Sequence, residues 1–128
     1  MNDMSRRDFI QTSGKAAAAS LAAPAILRGA SPTDDPVRLG HIGLGTRGGN
    51  VLRYTGQLDA CRVVAVCDVY KPHLEKGVQR SNNPDVKAYG RYHDLLDDPQ
   101  VEAVVIASPD HWHEQMLVDA LAAGKDVY

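Results

Sequence analysis

Six consecutive residues, Gly43-Leu44-Gly45-Thr46-Arg47-Gly48, and an aspartate 20 residues beyond the last of them, Asp68, have the types and spacing to hold a dinucleotide. In a G-x-G-x-x-G turn the first glycine permits a tight bend, the second lets the backbone approach a pyrophosphate, and the third lets a helix pack closely on a strand. Here these are Gly43, Gly45 and Gly48, with Thr46 at the head of a helix whose free N–H groups would face the phosphates. Arg47 either touches a phosphate or lies in solvent. Asp68 stands where such a turn is followed by an acid that accepts hydrogen bonds from the two ribose hydroxyls. A carboxylate there repels a 2′-phosphate and favours NAD, whereas the nearby Lys71 leaves NADP open.

A second cluster, Ser108-Pro109-Asp110-His111-Trp112-His113, follows a strong strand signal, at the edge where open parallel sheets bind their ligands. Ser108, Pro109, Asp110, Trp112 and His113 are therefore expected on the cofactor side. Asp110 is placed to cap the following helix, and Trp112 to offer a flat apolar face to a nicotinamide. His113 either bonds to cofactor or substrate or is a plain helix-start histidine. His111 and His113 do not read as a metal pair, because residues two apart on a helix point to different faces and no third ligand follows at zinc spacing. His41, inside the first strand, is expected in the core. Cys61 and Cys67 are not expected to pair, since six residues of strand span about 20 Å, against roughly 4.4–6.8 Å between bridged Cα atoms. No residue stands out as a general base, so none is assigned a catalytic role.

Positioning both clusters requires strands and helices in alternation. Val37 to Ile42 reads as a strand running into the glycines, and Val51, Leu52, Thr55 and Leu58 then recur at helical spacing. Val63 to Cys67 lies in a near-continuous apolar run of the kind buried on both faces of a parallel sheet. Pro72 fits the first turn of a short helix carrying Leu74 and Val78, although Gly77 weakens it. Val86 to Tyr89 and His93 to Leu96 read as a brief strand and a brief helix between turn-like segments. Val101 to Ala107 is the strongest strand signal. Met116, Leu117, Ala120 and Leu121 form an apolar stripe on a helix that Gly124 would cap, and Asp126 to Tyr128 begin another strand. The predicted fold is α/β, a Rossmann-type doubly wound parallel sheet with right-handed crossovers, cut short on its C-terminal side.

The chain's 128 residues, 44% hydrophobic and 23% charged, suit one domain, and a formal charge of −2 supplies no field to hold a nucleic acid. Residues 1–30 read as an export address. Ser5-Arg6-Arg7-Asp8-Phe9-Ile10, then Lys15 and the Ala-rich stretch Ala16 to Leu27, are similar to a twin-arginine (Tat) signal that engages the Tat translocase, with cleavage after Ala25 or Ala30. The protein is accordingly expected in the periplasm or otherwise exported. Ser20 and Pro24 break that stretch, which falls short of the roughly 20 residues of a membrane span. Residues 31–36 read as a linker and 37–128 as the folded, nucleotide-binding part.

Gly43 to Gly48, Val64-Ala65-Val66-Cys67-Asp68, the Ser108 to His113 run and Gly124-Lys125-Asp126-Val127-Tyr128 together make residues 37–128 resemble the Gfo/Idh/MocA family, the glucose-fructose oxidoreductase and inositol dehydrogenase group. The resemblance implies an N-terminal domain that binds NAD(P), a C-terminal α+β domain that binds a sugar or polyol, and hydride transfer between the two. It leaves a homo-oligomer open for the full-length form. It further implies a Glu-Lys-Pro motif and an acid–base residue of the substrate domain beyond Tyr128, so the chain is expected to be part of a longer enzyme. Two alternatives stand beside the oxidoreductase: an NAD-dependent glycosidase of the same superfamily, in which hydride leaves and returns within one turnover, and a non-catalytic nucleotide-binding fragment.

Overall fold

The computed structural model describes residues 35–128; the expected signal and most of the expected linker lie outside the described residues. Strands and helices alternate as β1 (Val37–Ile42), α1 (Thr46–Thr55), β2 (Cys61–Cys67), α2 (Lys71–Arg80), β3 (Lys87–Tyr89), α3 (Tyr92–Leu96), β4 (Ala103–Ile106), α4 (Asp110–Ala122) and β5 (Asp126–Val127). The strands form one sheet in the order β3-β2-β1-β4-β5, and every neighbouring pair is parallel. The chain therefore winds outward from β1 to β3, returns to the other side of β1, and winds outward again. The reversal leaves a crevice at the carboxyl ends of β1 and β4, where ligands of such sheets bind. The expected doubly wound α/β architecture is the one observed.

Two apolar layers enclose the sheet. On the α1 and α2 side, Leu44, Leu52, Val63 and Val66 pack together with Leu74 and Val86. On the α3 and α4 side the core is Ile42, Val64, Leu95, Leu96, Val104, Met116 and Ala120, joined by Tyr89 and Tyr92. The period-2 alternation of strands sends neighbouring residues to opposite layers, so Ile42 enters the second while His41 turns toward α1. His41 is fully buried, as expected, with Nε2 2.9 Å from Thr55 Oγ1. The Thr55 hydroxyl directs its own hydrogen to the carbonyls of Leu52 and Val51, so Nε2–H of His41 donates to it and Nδ1 is left without a partner. Burial pushes the imidazole down to about 4. Cys61 and Cys67 are both free, as the strand spacing requires.

Several boundaries differ from the sequence expectation for local reasons. Strand β4 is shorter than Val101 to Ala107, because Val101 spends its N–H on the Asp98 carbonyl and its carbonyl on Lys125 Nζ. Helix α1 stops before Leu58, with Gly56 as its C-cap, and Leu58 is exposed. On α4 only Met116 and Ala120 of the expected stripe are buried; Leu117 and Leu121 stand about a quarter-turn away and face solvent. Asp110 is not the cap of α4. Pro109 in extended conformation holds that position and makes no side-chain bond, so Asp110 lies inside the first turn, where a negative charge still favours the helix dipole. Gly124 does end α4: at φ +72° its N–H donates to the Leu121 carbonyl and the Lys125 N–H to that of Ala120, the paired pattern of a Schellman closure. Among the described residues no helix is long and apolar enough to cross a membrane.

Candidate functional site

The β1–α1 turn builds one wall of the crevice. Gly43 adopts φ +86°, and a Cβ there would lie 2.7 Å from the Ala107 carbonyl group and the Ser108 nitrogen, so its lack of a side chain is needed both for the bend and for the approach of the second loop. A Cβ on Gly48 would fall 1.9 Å from the Gly43 oxygen, which is why helix and strand can close only on glycine. Gly45 is different. Its φ of −62° suits any residue, and a Cβ would meet only His73 Cε1, at 3.8 Å. Nothing within the fold requires glycine there, and the open space in front of it, at the N-cap of α1, is where a backbone-bound phosphate would come closest.

Asp68 closes the site from the end of β2. Its Oδ2 accepts the Leu44 N–H at 2.7 Å and its Oδ1 the Tyr70 N–H at 2.8 Å. The acid is thus fastened to the middle of the glycine turn as well as to the head of α2. His73, in the first turn of α2 behind Pro72, stands with Nδ1 3.6 Å from Asp68 Oδ2 and its ring edge-on to Tyr70.

The opposite wall comes from the β4–α4 loop and from α3. Ser108 and Pro109 lead into α4, and the Ser108 hydroxyl is buried without a hydrogen-bond partner, a polar group left for something other than the chain. His113 Nε2 lies 2.7 Å from the Ser108 carbonyl oxygen, an acceptor, so this nitrogen carries the proton and ties the first turn of the helix back to the loop. Trp112 is half-exposed on the same wall, with Met116 one turn on. Tyr92, at the start of α3, completes it; its hydroxyl donates to Asp119 Oδ2 of α4 at 2.6 Å, a bond that pushes the phenol up to about 12 and, with Gln115, holds the Asp119 carboxyl below its usual range. Burial, reinforced by the neighbouring Asp68 charge, pushes the Cys67 thiol on the floor up to about 12 and leaves it protonated.

The resulting cleft has a volume of about 570 Å³. Gly43, Gly45, Thr46, Arg47, Asp68, Ser108, Pro109 and Trp112 line it, all singled out by sequence. Gly48, Asp110 and His113 do not: Gly48 acts in packing, Asp110 faces solvent, and His113 braces the loop. Tyr92, Met116, His73 and Val69 also line the cleft and were not anticipated. For His73 a signal existed in its place just behind Asp68 and Pro72, whereas Tyr92 and Met116 are indistinguishable in sequence from ordinary core residues. The donor set, with free N–H groups at α1, an acceptor at Asp68, open space at Gly45 and an orphan hydroxyl at Ser108, fits a dinucleotide laid across the switch point.

Comparison with known proteins agrees with this geometry. Residues 37–128 match the Gfo/Idh/MocA family, described as an oxidoreductase family with an NAD-binding Rossmann fold. A protein of Shewanella baltica named as a glycosyl hydrolase family 109 protein is 29% identical over 153 residues, covering 100% of this chain and 33% of its own length. The apo scyllo-inositol dehydrogenase of Lactobacillus casei superposes with a TM-score of 0.68 at 25% identity, over 74% of this chain and 28% of that one. The myo-inositol dehydrogenase of the same organism, solved with NAD(H) and myo-inositol, gives 0.65 at 32% identity, over 73% of this chain and 27% of that one. The chain thus spans about a third of the length of the curated relatives it matches.

Proposed function

The chain belongs to the Gfo/Idh/MocA oxidoreductase family, residues 37–128 forming its NAD-binding Rossmann domain, and on that premise we propose that its cleft holds the dinucleotide for hydride transfer to or from a sugar or polyol bound by polypeptide outside this chain. The observation that carries the reading is Gly45, a glycine required by nothing in the protein and placed where a pyrophosphate meets the α1 N-terminus. Thr46 and Arg47 flank the phosphates, Asp68 accepts from the ribose hydroxyls, and Ser108 and Trp112 attend the other end of the cofactor, with Trp112 shielding one face from water. When bound, the dinucleotide supplies the hydride acceptor or donor. The chain's own residues bind, orient and exclude water, and the substrate hydroxyl proton is taken by a base outside it.

A second reading has a specific observation behind it: curated relatives carry the name glycosyl hydrolase family 109. In that reading the same domain withdraws and returns a hydride within one glycosidic cleavage, and no NADH accumulates. Export is part of the proposal, on the strength of Arg6-Arg7 and the Ala-rich stretch to Leu27. A folded protein carried across a membrane would be loaded with cofactor beforehand and would hold it tightly.

The sole tryptophan of the chain, Trp112, lies in the cleft and reports occupancy directly. Titration with NADH is expected to quench its emission by energy transfer to the dihydronicotinamide, and a Gly45→Leu variant to abolish the quenching while keeping the helical circular dichroism. Unchanged emission and an unchanged Tm in saturating NADH would overturn the proposal.

A further inference from the structure

An ionised carboxylate offers about four acceptor positions. Two of those of Asp68 are taken by the N–H groups of Leu44 and Tyr70. What remains suffices for the two hydroxyls of a ribose diol and for little more. The next polar atom toward the cleft is Nδ1 of His73, 3.6 Å from Oδ2, at ion-pair distance but longer than a hydrogen bond. Cε1 of the same ring is the nearest atom to the space in front of Gly45, at 3.8 Å from where a Cβ would stand, and the ring is two-fifths exposed. His73 therefore occupies the gap between the phosphate-binding turn and the ribose-binding acid, with access to both.

The charges around His73 are few. Asp68 faces it from the end of β2, and Arg47 lines the same cleft from the first turn of α1. On its own helix Lys71 precedes it and Lys76 lies one turn on. Arg62 of β2 is paired with Asp85, and Lys87 of β3 is turned onto Asp98.

We propose that His73 sets the choice of cofactor: neutral, it leaves Asp68 to the ribose diol of NAD(H), and protonated, it draws in on Asp68 and offers a cation to the adenosine 2′-phosphate of NADP(H). Protonation acts twice. It takes one of the acceptor positions the diol needs, and it cancels the negative charge that repels the phosphate, with Lys71 adding to the positive side. Acid thus moves the site from NAD toward NADP. The inference rests on the dinucleotide reading above and names the selectivity of that same site.

The test is the ratio of NADP+ to NAD+ affinity of the whole chain, read from the recovery of Trp112 emission as each oxidised nucleotide displaces bound NADH, at about pH 8 and about pH 5.5. A rise of about tenfold toward acid is expected. The 2′-phosphate itself titrates, with a second pKa of about 6. His73→Gln supplies the reference, since it retains the phosphate's own titration and is expected to lose most of the rise. His73→Lys, with a fixed charge, is expected to favour NADP+ at both pH values. An equal pH response in wild type and His73→Gln, or no gain in NADP+ affinity for His73→Lys, would overturn the proposal while the dinucleotide site stands. Failure of every form to bind either nucleotide would remove the site as well.

Discussion

The two layers on the sheet are closed largely by different means. Under α1 and α2, contact depends on atoms that are not there: a Cβ on Gly48 would sit 1.9 Å from the Gly43 oxygen, and one on Gly77 2.5 Å from Leu44 Cδ1. Under α3 and α4, apart from Gly40, whose added Cβ would meet only the movable Leu95 Cδ2 at 2.8 Å and Val101 Cγ1 at 3.1 Å, contact depends on side chains that reach. Tyr92 bonds to Asp119 at 2.6 Å, Lys87 and Tyr89 both bond to Asp98 at 2.9 Å, and Lys125 Nζ bonds to the carbonyls of Asp98 and Val101. A layer closed by exclusion fails when anything is added, whereas a layer closed by polar ties weakens by one tie at a time. The cleft has a wall from each, so its glycine side is fixed and its aromatic side can adjust.

Adding one methyl group at Gly48 tests the first half of that contrast most severely. The obstruction is backbone and cannot swing aside, so Gly48→Ala is expected to lose more than about 4 kcal/mol in urea denaturation, enough to leave a domain of this size largely unfolded. A loss below about 1 kcal/mol would mean that helix and strand can part, and the contrast would not hold.

Acid probes the buried polar contact under α1. His41 titrates near the ordinary histidine value of 6.5 when unfolded and at about 4 when folded. The unfolded chain therefore binds the proton first as pH falls. Stability is complete above pH 6.5 and declines by about 3 kcal/mol down to pH 4, and His41→Gln should flatten that part of the profile measured by urea titration at stepped pH.

The smallest effect is expected on the other layer. Tyr92→Phe removes the hydroxyl from Asp119, which is exposed enough to turn to water, and is expected to cost about 1 kcal/mol in thermal denaturation while leaving NADH quenching of Trp112 in place. A loss as large as that of Gly48→Ala would show that the polar ties are no more forgiving than the glycines.

What could be read in the sequence follows the same division. Close approach leaves a mark in residue type, because only glycine serves at Gly43 and Gly48, and the spacing from that turn to Asp68 is set by one helix and one strand. The alternation of elements was legible because buried parallel strands such as Val63 to Cys67 are apolar throughout. Convergence across the sheet leaves no such mark. Tyr92 and Met116 reach the cleft because the strand order brings α3, packed on β2 and β3, against α4, packed on β4 and β5, and nothing local distinguishes them from Leu95 or Ala120. Asp110 as a cap failed for a related reason: Pro109, with its fixed backbone, takes the cap position first.

The bond from Leu44 N–H to Asp68 makes the acid a strut of the turn, whatever it goes on to hold. The glycine turn is held in its working shape before any cofactor arrives, so little ordering remains to be done on association. Redesign of cofactor preference by replacing Asp68, the obvious target, would slacken the turn and lose affinity for every dinucleotide alike. Lys71 and His73 carry no such duty, and an engineer would begin with them.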